Sequence, residues 1–329
     1  MSRLLITSVT ALACALAAPT AHADGREPGS VLVYPIHRSD LGNPTWFNVV
    51  SVTNTNRAGG GETDVHFQYV NVKKVASTFF FASCTVEDRV ETLSPADTFS
   101  VLTSCHNGAS ASNGYLVVSA MDPELVDTHW SFNHLVGSEQ IVSAFGGIYA
   151  LNAIPFISTL VEGEDTDVDG DGRLDFDGIE YEGVPDELFI DSFIGGLGDS
   201  IALLSFTGGE YLTNVDFVIY NDDEIQLSTQ FSFSCWAHVP LATISGYFTA
   251  QGLATTVDDP TELDLDCDGV QELDTGWAIV RPQSAISVTS PTIMNPAVLG
   301  ALTNDLGLFM NARLLWETPT KQFNAQFPN

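Results

Sequence analysis

An all-β fold, arranged as two tandem related β-sandwich modules with acidic loops, is predicted from three observations. Short runs rich in β-branched and aromatic residues are separated by Gly, Asn, Asp and Pro. A series of landmarks occurs twice in the same order, and two stretches concentrate aspartate on alternate positions.

The duplication starts at Thr63-Asp64-Val65-His66-Phe67, echoed by Thr213-Asn214-Val215-Asp216-Phe217 at an offset of 150, with Asn71 matched by Asn221. Cys84 meets Cys235. Gly114-Tyr115-Leu116-Val117-Val118 corresponds to Gly276-Trp277-Ala278-Ile279-Val280, and Asn133 to Asn295, at an offset of 162. Asn152-Ala153 answers Asn311-Ala312. The resulting division is a signal segment over 1–23, a module over 24–160, an acidic linker over 161–189 and a second module over 190–329.

The strands expected in order are Val31 to Tyr34, Phe47 to Thr53, Val65 to Val70, Tyr115 to Ala120, Ile201 to Phe206, Val215 to Tyr220, Ile225 to Phe233 and Trp277 to Val280. In Val65-His66-Phe67-Gln68-Tyr69 the apolar residues share one face, the mark of a sheet with one wet side. Asn221 to Glu224 reads as a hairpin connection, with Asn71 to Lys74 as its counterpart. Residues 139–152 and 294–306 are the candidate short helices. No long crossover helix is evident, which argues against a parallel α/β fold.

The N-terminus has Arg3, an apolar stretch from Leu4 to Ala18 and Ala21-His22-Ala23 before Asp24, the pattern of a secretory signal; Cys14 leaves lipidation as the alternative. Secretion, to the extracellular space, the periplasm or the outer surface, is therefore expected. No later apolar stretch approaches the ~18 residues of a membrane helix. Eleven Lys+Arg stand against 42 Asp+Glu, a net charge of −31. That balance excludes nucleic acid as a natural partner and calls for screening cations. The expected partners are a cell-surface or extracellular matrix component, or carbohydrate.

The four cysteines after Cys14 allow three pairings. The repeat selects Cys84 with Cys105 and Cys235 with Cys267, one bridge per module.

The sharpest chemical pattern lies in the linker, at Asp165, Asp167, Asp169, Asp171 and Asp175, with Gly170 and Gly172 between them. Alternate carboxylates followed by glycine let a tight backbone aim several oxygens at one point, as a hard cation such as Ca²⁺ requires. Asp264, Asp266 and Asp268, followed by Gly269, Glu272 and Asp274, repeat it. These calcium-type loops resemble those of EF-hands, dockerins and thrombospondin type 3 repeats over about a dozen residues. The first loop departs from the EF-hand at the twelfth place, where Gly178 stands for the bidentate Glu; Asp177 or Glu180 substitutes only by a different backbone path. The resemblance implies Ca²⁺ as cofactor.

His129 and His134 are five apart and reach a common metal only if they converge with a third ligand such as His106. No HExxH, GxSxG or CxxC motif occurs. The tryptophans read as core anchors; two or three of them exposed on one face would favour carbohydrate binding. Three functional classes follow, in this order: a structural or adhesive module at the surface or outside the cell; a calcium-dependent binding module for carbohydrate or another ligand; and a secreted hydrolase drawing on carboxylates such as Asp222 and Glu224.

Overall fold

The period of two in the segment from Val65 to Tyr69 is realised as a strand in which Val65, Phe67 and Tyr69 are fully buried. The computed structural model describes residues 27–39, 46–74, 82–109, 112–125, 127–144, 146–221, 224–254, 263–270, 272–306, 309–318 and 320–325. The signal segment with Cys14, and Asp222, lie outside the described residues.

The first half contains β1 (Val31–Arg38), β2 (Trp46–Asn54), β3 (Thr63–Lys74), β4 (Ala82–Leu93), β5 (Thr98–Leu102), the single turn α1 (Thr103–His106), β6 (Asn113–Met121), β7 (Leu135–Ser143), β8 (Ile148–Asn152) and β9 (Ile154–Phe156). The acidic stretch holds β10 (Asp175–Phe176) and β11 (Val184–Pro185). The second half follows with β12 (Leu188–Ile194), β13 (Asp199–Ser205), β14 (Leu212–Asn221), β15 (Gln226–Phe233), β16 (Trp236–Pro240), α2 (Leu241–Ile244), β17 (Thr275–Ile286), β18 (Ile293–Met294), β19 (Val298–Leu306), β20 (Phe309–Leu314) and β21 (Trp316–Glu317). Finally β22 (Thr320–Lys321) pairs with β11, and β23 (Phe323–Asn324) with β10.

The fold is all-β, with several antiparallel sheets. Their orders are β4-β3-β6-β1-β9 and β5-β2-β7-β8 in the first half, and β15-β14-β17-β12-β21 and β16-β13-β19-β20 in the second, with β18 added on β17. The registers correspond as well. Phe67 faces Val118 as Phe217 faces Val280, and Val33 faces Ile154 as Phe189 faces Trp316. A bulge breaks β1 between Tyr34 and His37, and β12 between Ile190 and Phe193. Gly114 and Gly276 keep the same place for a steric reason: a Cβ would sit 1.8 Å from the Val70 carbonyl oxygen in one case and 2.8 Å from that of Tyr220 in the other.

Some sequence expectations are corrected. Residues 139–152 and 294–306 form β7, β8 and β19 rather than helices, because their apolar residues alternate against neighbouring strands. Asn71 to Lys74 continues β3 and is no turn. Asn152-Ala153 matches Leu314-Leu315 and not Asn311-Ala312: the amides of Ala153 and Leu315 donate to the carbonyls of Gly137 and Gly300, which face Val52 and Leu203 in turn.

The cysteines give the largest correction. Cys84, on β4, is bonded to Cys235, between β15 and β16, and their Cα atoms are 6.6 Å apart. The two are not equivalent positions but partners across the halves. Cys105 and Cys267 are exposed and unbonded, so neither expected bridge, Cys84 with Cys105 or Cys235 with Cys267, forms.

One core fills the first half around Tyr34, Phe67, Tyr69 and Phe132, and another fills the second around Phe193, Phe217 and Phe248. A third lies between them. Val31, Val33, Tyr115 and Val117, on the outer face of the first five-stranded sheet, are covered by Leu174, Phe176, Tyr181 and Val184 of the acidic stretch and by Phe206 and Leu299 of the second half. The stretch expected as a linker is thus packed structure.

Beside the first core, His37 is completely buried, with Nε2 3.2 Å from the Val70 carbonyl oxygen and Nδ1 3.2 Å from Ser39 Oγ. Burial pulls its pKa down to about 4. The unfolded chain, with a pKa of ~6.5, therefore takes up the proton first. This contribution is fully present above pH ~6.5 and is lost as pH falls toward 4, by about 3 kcal/mol in all. Urea midpoints of the wild type and of His37→Gln at pH 7 and pH 4.5 are expected to show a shallower acid loss in the variant.

Candidate functional site

The backbone of the first aspartate loop is pinned by its own carboxylates. Asp167 Oδ1 accepts from the Asp171 amide at 2.9 Å and its Oδ2 from the Gly172 amide at 3.0 Å, while Asp169 Oδ1 accepts from Asp171 at 3.1 Å and Asp171 Oδ1 from the Arg173 amide at 2.9 Å. Left-handed backbone at Gly170 and Gly172, with φ of +75° at each, makes these reversals. The second loop reproduces the scheme. Asp264 accepts from the amides of Asp268 at 3.1 Å and Gly269 at 2.7 Å, Asp266 from Asp268 at 3.2 Å and Asp268 from Val270 at 2.9 Å.

A glutamate closes each loop. Glu180 Oε1 accepts from the Val168 amide at 2.7 Å, and Glu272 Oε2 from the equivalent Leu265 amide at 2.6 Å. Neither stands at the twelfth place of a standard loop counted from Asp167 or Asp264. Glu180 is returned by a turn in which Gly178 has φ +82° and the amides of Ile179 and Glu180 donate to Asp177 Oδ1. This is the altered path that the missing twelfth-place Glu requires.

Carboxylate oxygens converge in three groups, each within 4.8 Å: Asp167, Asp169 and Glu180; Asp169, Asp171 and Asp175; and Asp264, Asp266, Asp268 and Glu272. Seven of the eight aspartates expected from the sequence thus belong to a group. Asp165 does not. Its Oδ1 accepts from the Asp167 amide at 3.0 Å, and the residue lines a neighbouring cleft.

Asp175 and Glu180 are both 3 % exposed. Asp175 Oδ1 has no hydrogen-bond partner, an arrangement that is costly for a charged oxygen. Burial first, then Asp171, Asp169 and Asp177, push its pKa up to about 6. Burial pushes Glu180 up to about 7, against the lowering effect of the Val168 and Asp175 amides. Asp264 is held below the usual carboxylate range, chiefly by the Gly269 amide.

The cleft beside the first loop has a volume of about 420 Å³ and includes His66, His129, Asp165 and Asp167. The two imidazoles lie 6.0 Å apart between centroids, with His66 Nε2 bound to Asp88 at 2.9 Å. Burial, and then His66, lower the His129 pKa to about 4. The histidines do not converge as a trio: His106 bonds Tyr69 at 2.8 Å and Glu91 at 3.3 Å, and His134 bonds Glu162 at 3.0 Å. Glu224, named with Asp222 as a candidate acid, sits in a turn with φ +61°.

No protein-family model, curated protein or solved structure matches this chain. Among the described residues, no helix is long and apolar enough to cross a membrane.

Proposed function

We propose that the chain is a secreted protein of two tandem related β-sandwich modules, braced by Ca²⁺, with a structural or adhesive role at the cell surface or outside the cell. The matching strand orders and registers support the duplicated architecture. The Cys84–Cys235 bridge favours an oxidising compartment. The observation that carries the calcium assignment is Asp175 Oδ1, buried without a partner among the converging carboxylates of Asp169 and Asp171. A hard cation with oxygen ligands supplies the missing countercharge.

Asp167, Asp169, Asp171, Asp175 and Glu180 would hold the ion in the first loop, and Asp264, Asp266, Asp268 and Glu272 in the second. Calorimetric titration of the folded, chelator-treated protein with CaCl₂ is expected to give two binding events. Asp264→Ala combined with Asp266→Ala should remove one and leave the other. Absence of heat in the wild type, together with no protection by calcium against proteolysis, would reduce both loops to solvated acidic turns.

A further inference from the structure

The outer face of the sheet β15-β14-β17-β12-β21 carries a row of four aromatic side chains, of which Trp277 and Trp316 are exposed and Tyr220 and Phe189 half-buried. The inner face is spent on the core through Val215, Phe217, Ile219, Ala278 and Val280. On the outer face, register sets Tyr220 opposite Trp277, and two residues along it sets Ile279 opposite Phe189, which in turn faces Trp316. The Tyr220 and Trp277 rings stack with centroids 4.4 Å apart and planes 11° from parallel. Trp277 is 38 % exposed and Trp316 67 %. Two strand spacings across and two residues along separate these indoles by about 12 Å.

The first half shows what this position in the fold does when protein covers it. The counterparts of Tyr220, Trp277, Phe189 and Trp316 are Val70, Tyr115, Val33 and Ile154, all buried beneath the acidic stretch and the second half. Three of the four are aliphatic where protein packs on them, and all four are aromatic on the more open face. Large rings left side by side in water mark a binding surface. Their flat faces match the apolar C–H faces of pyranose rings.

Hydrogen-bonding groups fringe the row. Gln230 Nε2 donates to Asp216 Oδ1 at 2.8 Å, Tyr220 OH donates to Gln226 Oε1 at 3.3 Å, and Arg281 is paired with Glu187. Amides and carboxylates of this kind suit sugar hydroxyls. The net charge of −31 repels polyanionic glycans, which leaves neutral ones.

We propose that this face binds a neutral polysaccharide, with sugar rings stacked on Trp277 and Trp316. The site is separate from the aspartate loops and does not depend on their holding Ca²⁺.

The test uses the full chain in affinity electrophoresis with xyloglucan and galactomannan, pull-down on cellulose and chitin, and polygalacturonate as the anionic control. Retention by at least one neutral polymer, and none by polygalacturonate, is expected. Trp316→Ala and Trp277→Ala should each weaken binding by roughly tenfold or more, and Trp316→Phe by less. Because the Trp316 ring is largely exposed, circular dichroism and melting of Trp316→Ala should match the wild type. The proposal is overturned by a wild type retained on no neutral polymer, or by retention that both alanine variants keep. It is equally overturned by concentration-dependent self-association in sedimentation velocity that Trp316→Ala abolishes, which would assign the face to a second copy of the chain.

Discussion

Replacing Cys84 and Cys235 by serine, or reducing their bridge, is expected to lower the melting temperature by about 10 to 20 °C. The bridge closes a chain segment with a sequence separation of 151, and closure of that length restricts the unfolded chain by about 5 kcal/mol. For a protein of this size each kcal/mol moves the midpoint by roughly 2 to 4 °C. Cys235 also belongs to the core between the halves, and Cys84 packs against it, so the bond ties that interface directly. Non-reducing peptide mapping should recover Cys84 linked to Cys235, and a maleimide should label Cys105 and Cys267 in the folded protein. A Cys84–Cys105 peptide, or an unchanged midpoint on reduction, would contradict the cross-half bond.

Calcium at a hundredfold excess over its dissociation constant is expected to stabilise the fold by ~2.7 kcal/mol per site, or about 5 to 10 °C. Magnesium should act poorly, since it prefers a small octahedral shell with retained water. Asp167→Ala with Asp169→Ala should abolish the first loop's share, and Glu180→Gln should reduce it. Acidity gives an independent check. The folded pKa values of Asp175 and Glu180, about 6 and about 7, lie above those of the unfolded chain, so the calcium-free fold retains protons there. The stability that these two groups contribute therefore declines as pH rises from ~4.5 to 7, opposite in sign to that of His37, while the gain from calcium grows over the same window, as the ion replaces protons. Equal calcium shifts at pH 5 and pH 7.5 would argue against ligation by these two groups.

Strands with clear alternation were legible in the sequence: Val65 to Tyr69 and Val215 to Tyr220 bury the faces that their patterns demand. β4 was not, because Glu87, Asp88, Arg89 and Glu91 break up its apolar residues; on a sheet edge such charges discourage pairing with other chains. β7, β8 and β19 were hidden by helical spacing within short apolar runs, which periodicity alone cannot resolve. At the site, the alternate aspartates announced themselves, but Glu180 depends on a turn that spacing does not encode. Order along the chain does not give equivalence in space, which is why the repeat points to pairings within each half while the bond joins Cys84 to Cys235. Cys84 stands near the start of β4 and Cys235 just past the end of β15, so the two lie at opposite ends of corresponding strands. The aromatic row needed the sheet register, since Phe189, Trp277 and Trp316 come from three separate strands.

Unequal burial of the same sheet face makes the two halves unequal as folding units. The N-terminal half leaves synthesis first, yet among the described residues Val31, Val33, Tyr115 and Val117 are covered by side chains from Leu174 onward. Until those arrive, the nascent first half holds open a sticky surface that its own sequence cannot close. The later half depends less on such cover, for Trp277 and Trp316 on its matching face stay exposed among the described residues. Birth order therefore runs opposite to self-sufficiency, and the interval between the two is when a holdase chaperone has something to grip.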